Sequence, residues 1–326
     1  MPLSLGLMAM LLCLLGTAAY LPLARRWRLI DEPNHRSAHA VVTPSSGGLA
    51  IVAAVVLSLI AAQLSGTIAA DPAVAVMIGA LILLCLIGAW DDRRALPVAL
   101  RMPVFLLLSA VAVLACSDAS AMPVWSWPLL ILAFAWLLNL TNFMDGIDGL
   151  AALQTLLVAG GMTVLGIAGG AEEDFVTLCV IVAGAYGGFL FFNWPPAKLF
   201  MGDAGSLSAG FLMGWLGLWT WQGGDLSPVA WFLLMSPFLL DTGITLVERA
   251  LHGEPLTQAH SRHCYQRLAR HWGSHARVDG ALLLLHGCWL LPLALMTEFS
   301  SWPQWTLLVL GLFPQLFLIA KLRRLQ

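Results

Sequence analysis

The chain has 326 residues, of which 60% are hydrophobic and 10% charged, with a formal net charge of −2 and a mean hydropathy of +0.85. A soluble domain carries roughly 25% charged residues, so this composition excludes a water-soluble globular protein. The sequence predicts an all-α polytopic membrane protein, because its apolar runs are continuous and lack the alternating polarity of barrel strands.

Apolar runs long enough to cross a membrane recur along the whole chain. A helix needs about 20 apolar residues to span the hydrocarbon core. By this measure the sequence predicts about 11 transmembrane helices. They centre near residues 3–23, 47–65, 72–90, 101–117, 122–140, 150–169, 175–192, 204–222, 227–247, 279–297 and 303–320.

Basic residues predict the orientation of these helices. The first run has no basic residue before it, and Arg25, Arg26 and Arg28 follow it, which indicates a retained helix rather than a cleavable signal peptide. When the successive connections between helices are assigned to alternating sides of the membrane, all 16 Lys and Arg residues fall on one side. The positive-inside rule makes that side cytoplasmic, with a periplasmic N-terminus and a cytoplasmic C-terminus.

The connections on the predicted cytoplasmic side hold most of the polar groups that could carry chemistry. The sequence therefore predicts one integral-membrane domain over residues 1–326, with an active site built from cytoplasmic loops. These loops span residues 24–46, 91–101, 141–149, 193–204 and 249–278.

Two adjacent carboxylates, Asp91 and Asp92, follow the third apolar run in "GAWDDRRAL". Adjacent aspartates repel each other unless a cation lies between them, so a metal site is one of two interpretations. The alternative is a solvated helix end in which Arg93 and Arg94 neutralise the pair.

The fifth run ends in "NLTNFMDGIDGL", where Asn142, Asp145 and Asp148 recur at intervals of three. That spacing places them on roughly one face if the helix continues. The glycines Gly146 and Gly149 favour instead a loop that brings backbone close to a ligand. An ordinary turn explains one Asp-Gly pair well, but it explains two pairs with flanking asparagines poorly.

A third polar stretch, "FFNWPPAKLFMGDAGS", places Asn193 at the end of one span and Asp203 at the start of the next. An aspartate there could simply cap the helix. The free N–H groups of a helix N-terminus also suit a phosphate or a metal diphosphate.

In the long loop at residues 249–278, His263, Arg267, His271 and His275 step by four and could line one helical face. The competing interpretation is a basic amphipathic segment that lies on anionic lipid. Taken together, the loops combine carboxylates, which suit Mg²⁺, with cations, which suit phosphates. The residues alone therefore indicate a phosphotransfer site at a membrane surface.

Six motifs in order resemble the polyprenyl-phosphate N-acetylhexosamine-1-phosphate transferases, a glycosyltransferase family 4 group that includes the peptidoglycan translocase. Two of them, "PNHRSAH" and "AHSRHCYQRL", are more similar to the branch that initiates O-antigen and other surface polysaccharides. The six motifs are "DEPNHRSAH", "TPSSGG", "WDD", "NFMDGIDG", "KLFMGDAGS" and "AHSRHCYQRL".

This resemblance implies a reaction and its partners. A sugar 1-phosphate passes from a UDP-N-acetylhexosamine to undecaprenyl phosphate, and UMP is released. The implied cofactor is Mg²⁺, with Mn²⁺ as the alternative, and the implied location is the bacterial inner membrane with the active site facing the cytoplasm. No nucleic-acid partner is expected, and the oligomeric state is left open, a homodimer included.

The resemblance also implies residue roles. Asp203 is expected to bind the metal, and Asp91 and Asp92 match the family's aspartate pair, with Asp92 as a second metal ligand. Asp91 and Asp92 also belong to the group of residues expected to be catalytic. A second group is expected to bind the substrate. The catalytic group adds Asp145, Asp148, His260, Arg262 and His263, and the substrate-binding group is Asn142, Asn193, Lys198 and Phe200.

One departure from the family concerns the "TPSSGG" stretch, around which many members carry a basic residue. Here Ala40, Val41, Val42, Ser45 and Ser46 are all neutral. Either His39 replaces that residue or the contact is lost.

Two other classes of membrane protein compete with the transferase. A secondary transporter would place ionisable residues near the membrane midplane, whereas only Asp241 lies inside a predicted helix here. An intramembrane aspartyl protease would need two aspartates in facing helices, and "MGDAG" has Phe200 where its motif needs a glycine.

Overall fold

The computed structural model describes residues 1–31, 41–116, 123–223, 226–255 and 260–323. Within those ranges the chain is almost entirely helical. The α-helices are α1 (Pro2–Arg26), α2 (Gly48–Leu64), α3 (Pro72–Asp91), α4 (Val98–Cys116), α5 (Trp127–Met144), α6 (Leu150–Gly169), α7 (Glu173–Asn193), α8 (Gly202–Gly223), α9 (Pro228–Leu251), α10 (Cys264–Trp272), α11 (His275–Leu285), α12 (Leu291–Phe299) and α13 (Gln304–Arg323).

The all-α membrane fold predicted from composition is confirmed. A described helix coincides with each of the predicted apolar runs, and the run near 279–297 is one helix interrupted by a π-helical segment, His286–Leu290. By length and composition, nine of the described helices or helix pairs can cross a membrane, fewer than the 11 predicted. Helix α2 has only 17 residues, and α8 is rich in Gly, Ser and Trp.

Local sequence explains where several helices begin. The side chain of Asp71 accepts a hydrogen bond from the Ala73 N–H before α3, and Ser227 does the same for Val229 before α9. Pro72 and Pro228 follow as the first helical residues, where a missing N–H has no consequence. A two-stranded antiparallel ribbon, β1 (Ile30–Asp31) and β2 (Thr43–Pro44), joins α1 to α2.

Helix α8 lies inside the bundle, and its polar and small residues follow from that position. It packs against α2, α3 and α5, and Ser206, Ser208, Phe211 and Trp215 are all buried. A helix that contacts other helices rather than lipid can carry small residues, which let backbones approach closely.

Two glycines set the distance between α8 and its neighbours. A β-carbon on Gly48 of α2 would lie 2.1 Å from the backbone nitrogen of Gly205. A β-carbon on Gly88 of α3 would lie 2.4 Å from the backbone nitrogen of Ala204. Since the atoms opposed to them are backbone, a side chain there would push α8 away.

The substitution Gly88→Ala tests this packing. We expect it to lower the free energy of unfolding in detergent by about 1–3 kcal/mol, because the added methyl group overpacks a backbone contact. Thermal unfolding followed by circular dichroism measures the effect. Gly79→Ala is the matched control on the same helix, since nothing lies within 4 Å of its β-carbon position. Equal melting temperatures for the two variants would contradict the close approach.

Candidate active site

Four helix ends meet at one end of the bundle and bring polar side chains together. Asp91 and Asp92 lie at the end of α3, Asn142 lies in the last turn of α5, and Asp203 lies in the first turn of α8. Arg101, in the first turn of α4, contacts this group. The structure thus joins three of the sequence motifs that were predicted to converge.

Asp203 lies at the centre of these contacts. One of its oxygens accepts a hydrogen bond from the Asn142 amide at 2.7 Å, and that amide also donates to the Ser206 hydroxyl at 3.0 Å. The other oxygen lies 3.5 Å from a guanidinium nitrogen of Arg101. The Asp203 side chain is 27% exposed, so it stays accessible to a ligand.

Asp92 holds the N-terminus of α8. One carboxylate oxygen accepts from the Asp203 backbone N–H at 2.8 Å, and the other accepts from the Ser46 hydroxyl at 2.7 Å. Gly202 makes this approach possible, because a β-carbon there would lie 2.3 Å from an Asp92 oxygen and its φ is +67°. Asp92 therefore caps a helix that belongs to a different part of the chain.

Asp91 has a different environment from its neighbour. It is buried, forms an ion pair with Arg101, and accepts a hydrogen bond from the Leu96 N–H at 2.5 Å. The alternative in which Arg93 and Arg94 neutralise the aspartate pair does not hold for Asp91, because Asp91 pairs with Arg101. Neither Arg101 nor Ser46 was among the predicted site residues, although both lie within the predicted active-site loops and Ser46 belongs to the "TPSSGG" stretch.

Negative charge exceeds positive charge in this group. Burial raises the pKa of Asp92 to about 6, and the nearby Asp91 charge adds to that effect. Desolvation likewise raises the pKa of Asp145 well above its ordinary value, with further contributions from Asp203, Asp92 and Asp148. Both shifts mean that the protein alone does not compensate the carboxylate charges.

The donor set fits Mg²⁺ held jointly with a substrate. Among the described residues, no three His, Cys, Asp or Glu side chains are already arranged around one metal position. Mg²⁺ in enzymes commonly binds one or two carboxylates together with substrate phosphates. The partly exposed Asp203 carboxylate and the uncompensated charge around Asp92 match that pattern, and the neighbouring groups offer oxygen donors.

Asp148 and Asn193 form a second network beside the carboxylates. The Asn193 side chain is buried, accepts from the Gly149 N–H at 3.1 Å and donates to the Leu199 carbonyl at 3.0 Å. Asp148 accepts from the Ala197 N–H at 3.0 Å and lies 3.4 Å from Nδ1 of His275. These bonds tie the loop after α5 to the loop before α8.

The loop before α8 also carries Lys198 and Phe200. The Phe200 N–H donates to the Pro44 carbonyl, and its carbonyl accepts from Gly47, each at 2.9 Å, so the backbone of this loop joins the ribbon. The Lys198 ammonium lies 5.6 Å from the centre of the Phe191 ring.

The cytoplasmic loop predicted at 249–278 contributes three candidate residues. His263 is buried, and its ring lies 4.8 Å from that of His260. Burial lowers the pKa of His260 to about 4, and the neighbouring His263, Arg249 and Arg262 add to the effect. Arg262 pairs with Glu254 at 2.5 Å. The described contacts do not link Arg262 directly to the carboxylates around Asp203.

The interpretation in which His263, Arg267, His271 and His275 line one helical face does not hold. Helix α10 ends at Trp272, and Gly273 follows in a left-handed conformation with φ +61°. His263 therefore precedes one helix and His275 begins another. His39, which could replace the basic residue that many family members carry near "TPSSGG", lies outside the described residues, as does the whole segment 32–40.

Comparisons with known proteins agree with the motifs. The family model described as glycosyl transferase family 4 matches residues 74–220. The "Probable undecaprenyl-phosphate N-acetylglucosaminyl 1-phosphate transferase" of Bacillus subtilis is 30% identical over 291 residues, which cover 82% of this chain and 78% of that protein. The "Decaprenyl-phosphate N-acetylglucosaminephosphotransferase" of Mycolicibacterium smegmatis is 30% identical over 329 residues, covering 86% and 78%.

A shorter match concerns the "Phospho-N-acetylmuramoyl-pentapeptide-transferase" of Moorella thermoacetica, which is 42% identical over 97 residues, or 29% of this chain and 30% of that protein. The two longer matches extend over most of both chains, so they reach well beyond the region that the family model matches. This chain belongs to glycosyl transferase family 4.

Proposed function

We propose that this protein transfers an N-acetylhexosamine 1-phosphate from a UDP-sugar to undecaprenyl phosphate. The lipid phosphate oxygen forms a new bond to the sugar-bearing phosphorus, the diphosphate bond of the donor breaks, and UMP leaves. The product is an undecaprenyl-diphosphate-linked sugar. The observation that carries this proposal is the convergence of Asp91, Asp92, Asn142 and Asp203 with Arg101 at one end of the helices.

The relatives support this reaction class. The relatives from Bacillus subtilis and Mycolicibacterium smegmatis, which match most of the chain, are named as transferases that act on a polyprenyl phosphate and N-acetylglucosamine phosphate. The motifs similar to the initiating branch favour the first membrane step of O-antigen or a related surface polysaccharide. A transporter or an intramembrane protease has no comparable support.

The charges of the substrates explain what the site must do. A phosphate monoester has a second pKa of about 6, so the lipid phosphate is mostly dianionic at neutral pH and needs little help to lose a proton. The larger barrier is repulsion between this dianion and the donor diphosphate. Cationic groups that offset the repulsion and hold the reacting atoms in line are therefore the central requirement.

In this proposal, Asp203 and Asp92 hold Mg²⁺. When it is bound, the ion supplies positive charge that neutralises and aligns the phosphate oxygens. Arg101, which already contacts Asp91 and Asp203, adds a fixed cation. Asn142 orients the Asp203 carboxylate by donating to it at 2.7 Å.

The remaining carboxylates receive different roles. Asp91 is paired with Arg101, which makes it a group that positions the cation rather than a free base. Asp145 keeps its proton to a higher pH than an ordinary aspartic acid because its pKa is raised. In its protonated form it can donate a hydrogen bond to a phosphate or sugar oxygen. His260, Arg262, His263 and Lys198 supply further positive or hydrogen-bonding groups for the diphosphate and sugar.

The proposed location is the bacterial inner membrane, with the site facing the cytoplasm. All 16 basic residues fall on one side of the predicted topology, and that side includes the loops that hold the site. UDP-sugars are cytoplasmic metabolites, so this orientation gives the site direct access to the donor.

Release of UMP by the detergent-purified protein is the direct test. The reaction would contain undecaprenyl phosphate, Mg²⁺ and one member of a panel of UDP-N-acetylhexosamines, with and without EDTA. We expect one donor to give UMP and a lipid-linked sugar, and we expect EDTA to stop both. A folded protein that releases no UMP across the panel would refute the proposal.

The substitution Asp203→Asn tests the metal assignment. We expect UMP release to fall by at least about 10³-fold, because a carboxylate that binds the metal becomes a neutral amide. Asp71→Asn is the matched control. Like Asp203, Asp71 lies at a helix N-terminus, but it precedes α3 at the end opposite to Asp91 and Asp92 and so lies away from the candidate site. Normal membrane insertion is expected for both variants. Substantial activity in Asp203→Asn would remove Asp203 from the metal site.

The raised pKa of Asp92 predicts pH-dependent metal binding. Its pKa is about 6 in the folded protein, above the ordinary value of 3.8, so the carboxylate gains a proton and loses its charge as the pH falls through 6. We expect Mn²⁺, measured by electron paramagnetic resonance without substrate, to bind about tenfold more weakly at pH 5.0 than at pH 7.5. Asp92→Asn should bind weakly at both values. Equal affinity of the unmodified protein at both pH values would count against Asp92 as a ligand.

A further inference from the structure

Asp241 is a buried carboxylate that neither the family resemblance nor the proposed mechanism uses. It lies within α9 and is 5% exposed. We propose that Asp241 is a positioning residue for the transfer reaction: it orients His263 and anchors α10 against the loop that carries Asp145. This inference rests on the proposed function for its catalytic meaning, and on contacts within the chain for its structural meaning.

The Asp241 carboxylate accepts hydrogen bonds from one short segment of another element. One oxygen accepts from the Cys264 backbone N–H at 2.8 Å and lies 3.2 Å from Nδ1 of His263. The other oxygen accepts from the Tyr265 backbone N–H at 3.1 Å. Thr245, one turn further along α9, lies 3.4 Å from the first oxygen.

This geometry fixes the orientation of the His263 ring. The Asp241 carboxylate contacts the ring at Nδ1, and the ring also accepts a hydrogen bond from the Gln266 backbone N–H, so two neighbours hold it in place. Both His263 and Asp241 are buried, with side-chain exposures of 4% and 6%. A carboxylate held against one ring nitrogen is a common way of orienting a histidine in catalytic sites.

The same carboxylate also holds the start of α10. Cys264 and Tyr265 are the first two residues of that helix, and their N–H groups have no partner within it. Asp241 accepts from both of them, and the Gln266 side chain accepts from the His263 N–H at 3.3 Å. The helix is therefore attached to the membrane-embedded part of the protein through α9.

Tyr265 connects this anchor to the candidate active site. Its hydroxyl donates to the Phe143 carbonyl at 2.9 Å, and its ring stacks on His263 with centroids 5.7 Å apart. A β-carbon on Gly146 would lie 2.1 Å from the same hydroxyl. Tyr265 thus contacts Phe143 and Gly146, the residues on either side of the Asp145 region of the loop.

In the part of the chain that the structure describes, Asp241 is the one carboxylate that contacts the His263 ring. That ring has His260 on one side and Tyr265 on the other, at 4.8 and 5.7 Å between centroids. The neighbouring cations Arg249 and Arg262 pair with Glu254. Loss of the Asp241 carboxylate therefore removes one of the two contacts that hold the His263 ring, the other being the Gln266 N–H, and removes the acceptor for the first two N–H groups of α10.

A double-mutant cycle on UMP release tests whether Asp241 acts through His263. We expect Asp241→Asn and His263→Ala each to lower kcat/KM by about 10²-fold, in the range of a positioned acid–base or hydrogen-bonding side chain. The doubly substituted protein should be no slower than the slower single variant, because both changes remove the same interaction. Ser236→Ala is the matched control, because Ser236 is also a buried polar residue of α9 but contacts Gln315 rather than His263. The activity of this variant should stay within about twofold of that of the unmodified protein.

Two results would overturn the proposal. One is activity of Asp241→Asn within about twofold of the unmodified protein. The other is multiplication of the single effects to about 10⁴-fold in the double variant, which would show that the two residues act independently.

His263→Asn separates the anchor from catalysis and does not remove the buried carboxylate. Its side-chain amide can still donate to Asp241, but it has no counterpart of Nε2. We expect the same loss of activity as in His263→Ala, while amide hydrogen exchange of the peptide containing Cys264 and Tyr265 stays as slow as in the unmodified protein. Fast exchange in this variant, or full activity, would contradict the assigned orientation.

Hydrogen exchange also separates failure of this inference from failure of the proposed function. If the unmodified protein released no UMP, the proposed reaction would fail while the exchange measurement would still report on the anchor. We expect Asp241→Asn to speed exchange at Cys264 and Tyr265 by at least about tenfold, with no change in Ser236→Ala. Unchanged exchange in Asp241→Asn would overturn the anchor whatever reaction the protein catalyses.

Discussion

The structure of the candidate site depends on the bond between the Asp92 carboxylate and the N-terminus of α8. The first N–H groups of a helix have no partner inside the helix and carry partial positive charge. Asp203 lies where it could satisfy them with its own side chain. Because Asp92 accepts from the Asp203 N–H instead, the Asp203 carboxylate is free to contact Asn142 and Arg101 and to receive a ligand.

That bond requires close packing of backbones. Gly48, Gly88 and Gly202 each leave space that a β-carbon would fill, at 2.1 to 2.4 Å from an atom of α8 or of Asp92. The glycines of these motifs therefore act as spacers that allow a carboxylate of α3 to reach α8. A chemical property of the site, the availability of Asp203, follows from a packing property of the helices.

Asp241 repeats this arrangement in another part of the protein. In both places, a carboxylate at or in one long helix caps the N-terminus of another helix and leaves the adjacent side chain in a defined position. Asp92 does this for Asp203, and Asp241 does it for His263. A capping bond that crosses between elements joins segments far apart in sequence, as Asp92 joins α3 to α8 and Asp241 joins α9 to α10.

Much of the fold could be predicted from sequence, because membrane-spanning helices are constrained by length and composition alone. The grouping of Asp92, Asn142 and Asp203 was also predictable, since all three lie at helix ends on the basic side. Their partners were not. Arg101 pairs with Asp91 in place of the adjacent arginines, which depends on where α4 begins after the intervening turn. The break at Gly273 likewise depends on a left-handed residue that periodicity cannot reveal.

Asn193 and Asp148 show how a motif residue can serve a site without facing its substrate. Their side chains bond to backbone groups of Gly149, Leu199 and Ala197, which places the loops after α5 and before α8 at a fixed separation. Asp145 lies on the first of these loops and Asp203 follows the second. Since the separation of these two carboxylates controls the uncompensated charge between them, the network of Asn193 and Asp148 sets the electrostatic environment that a metal and a diphosphate would enter.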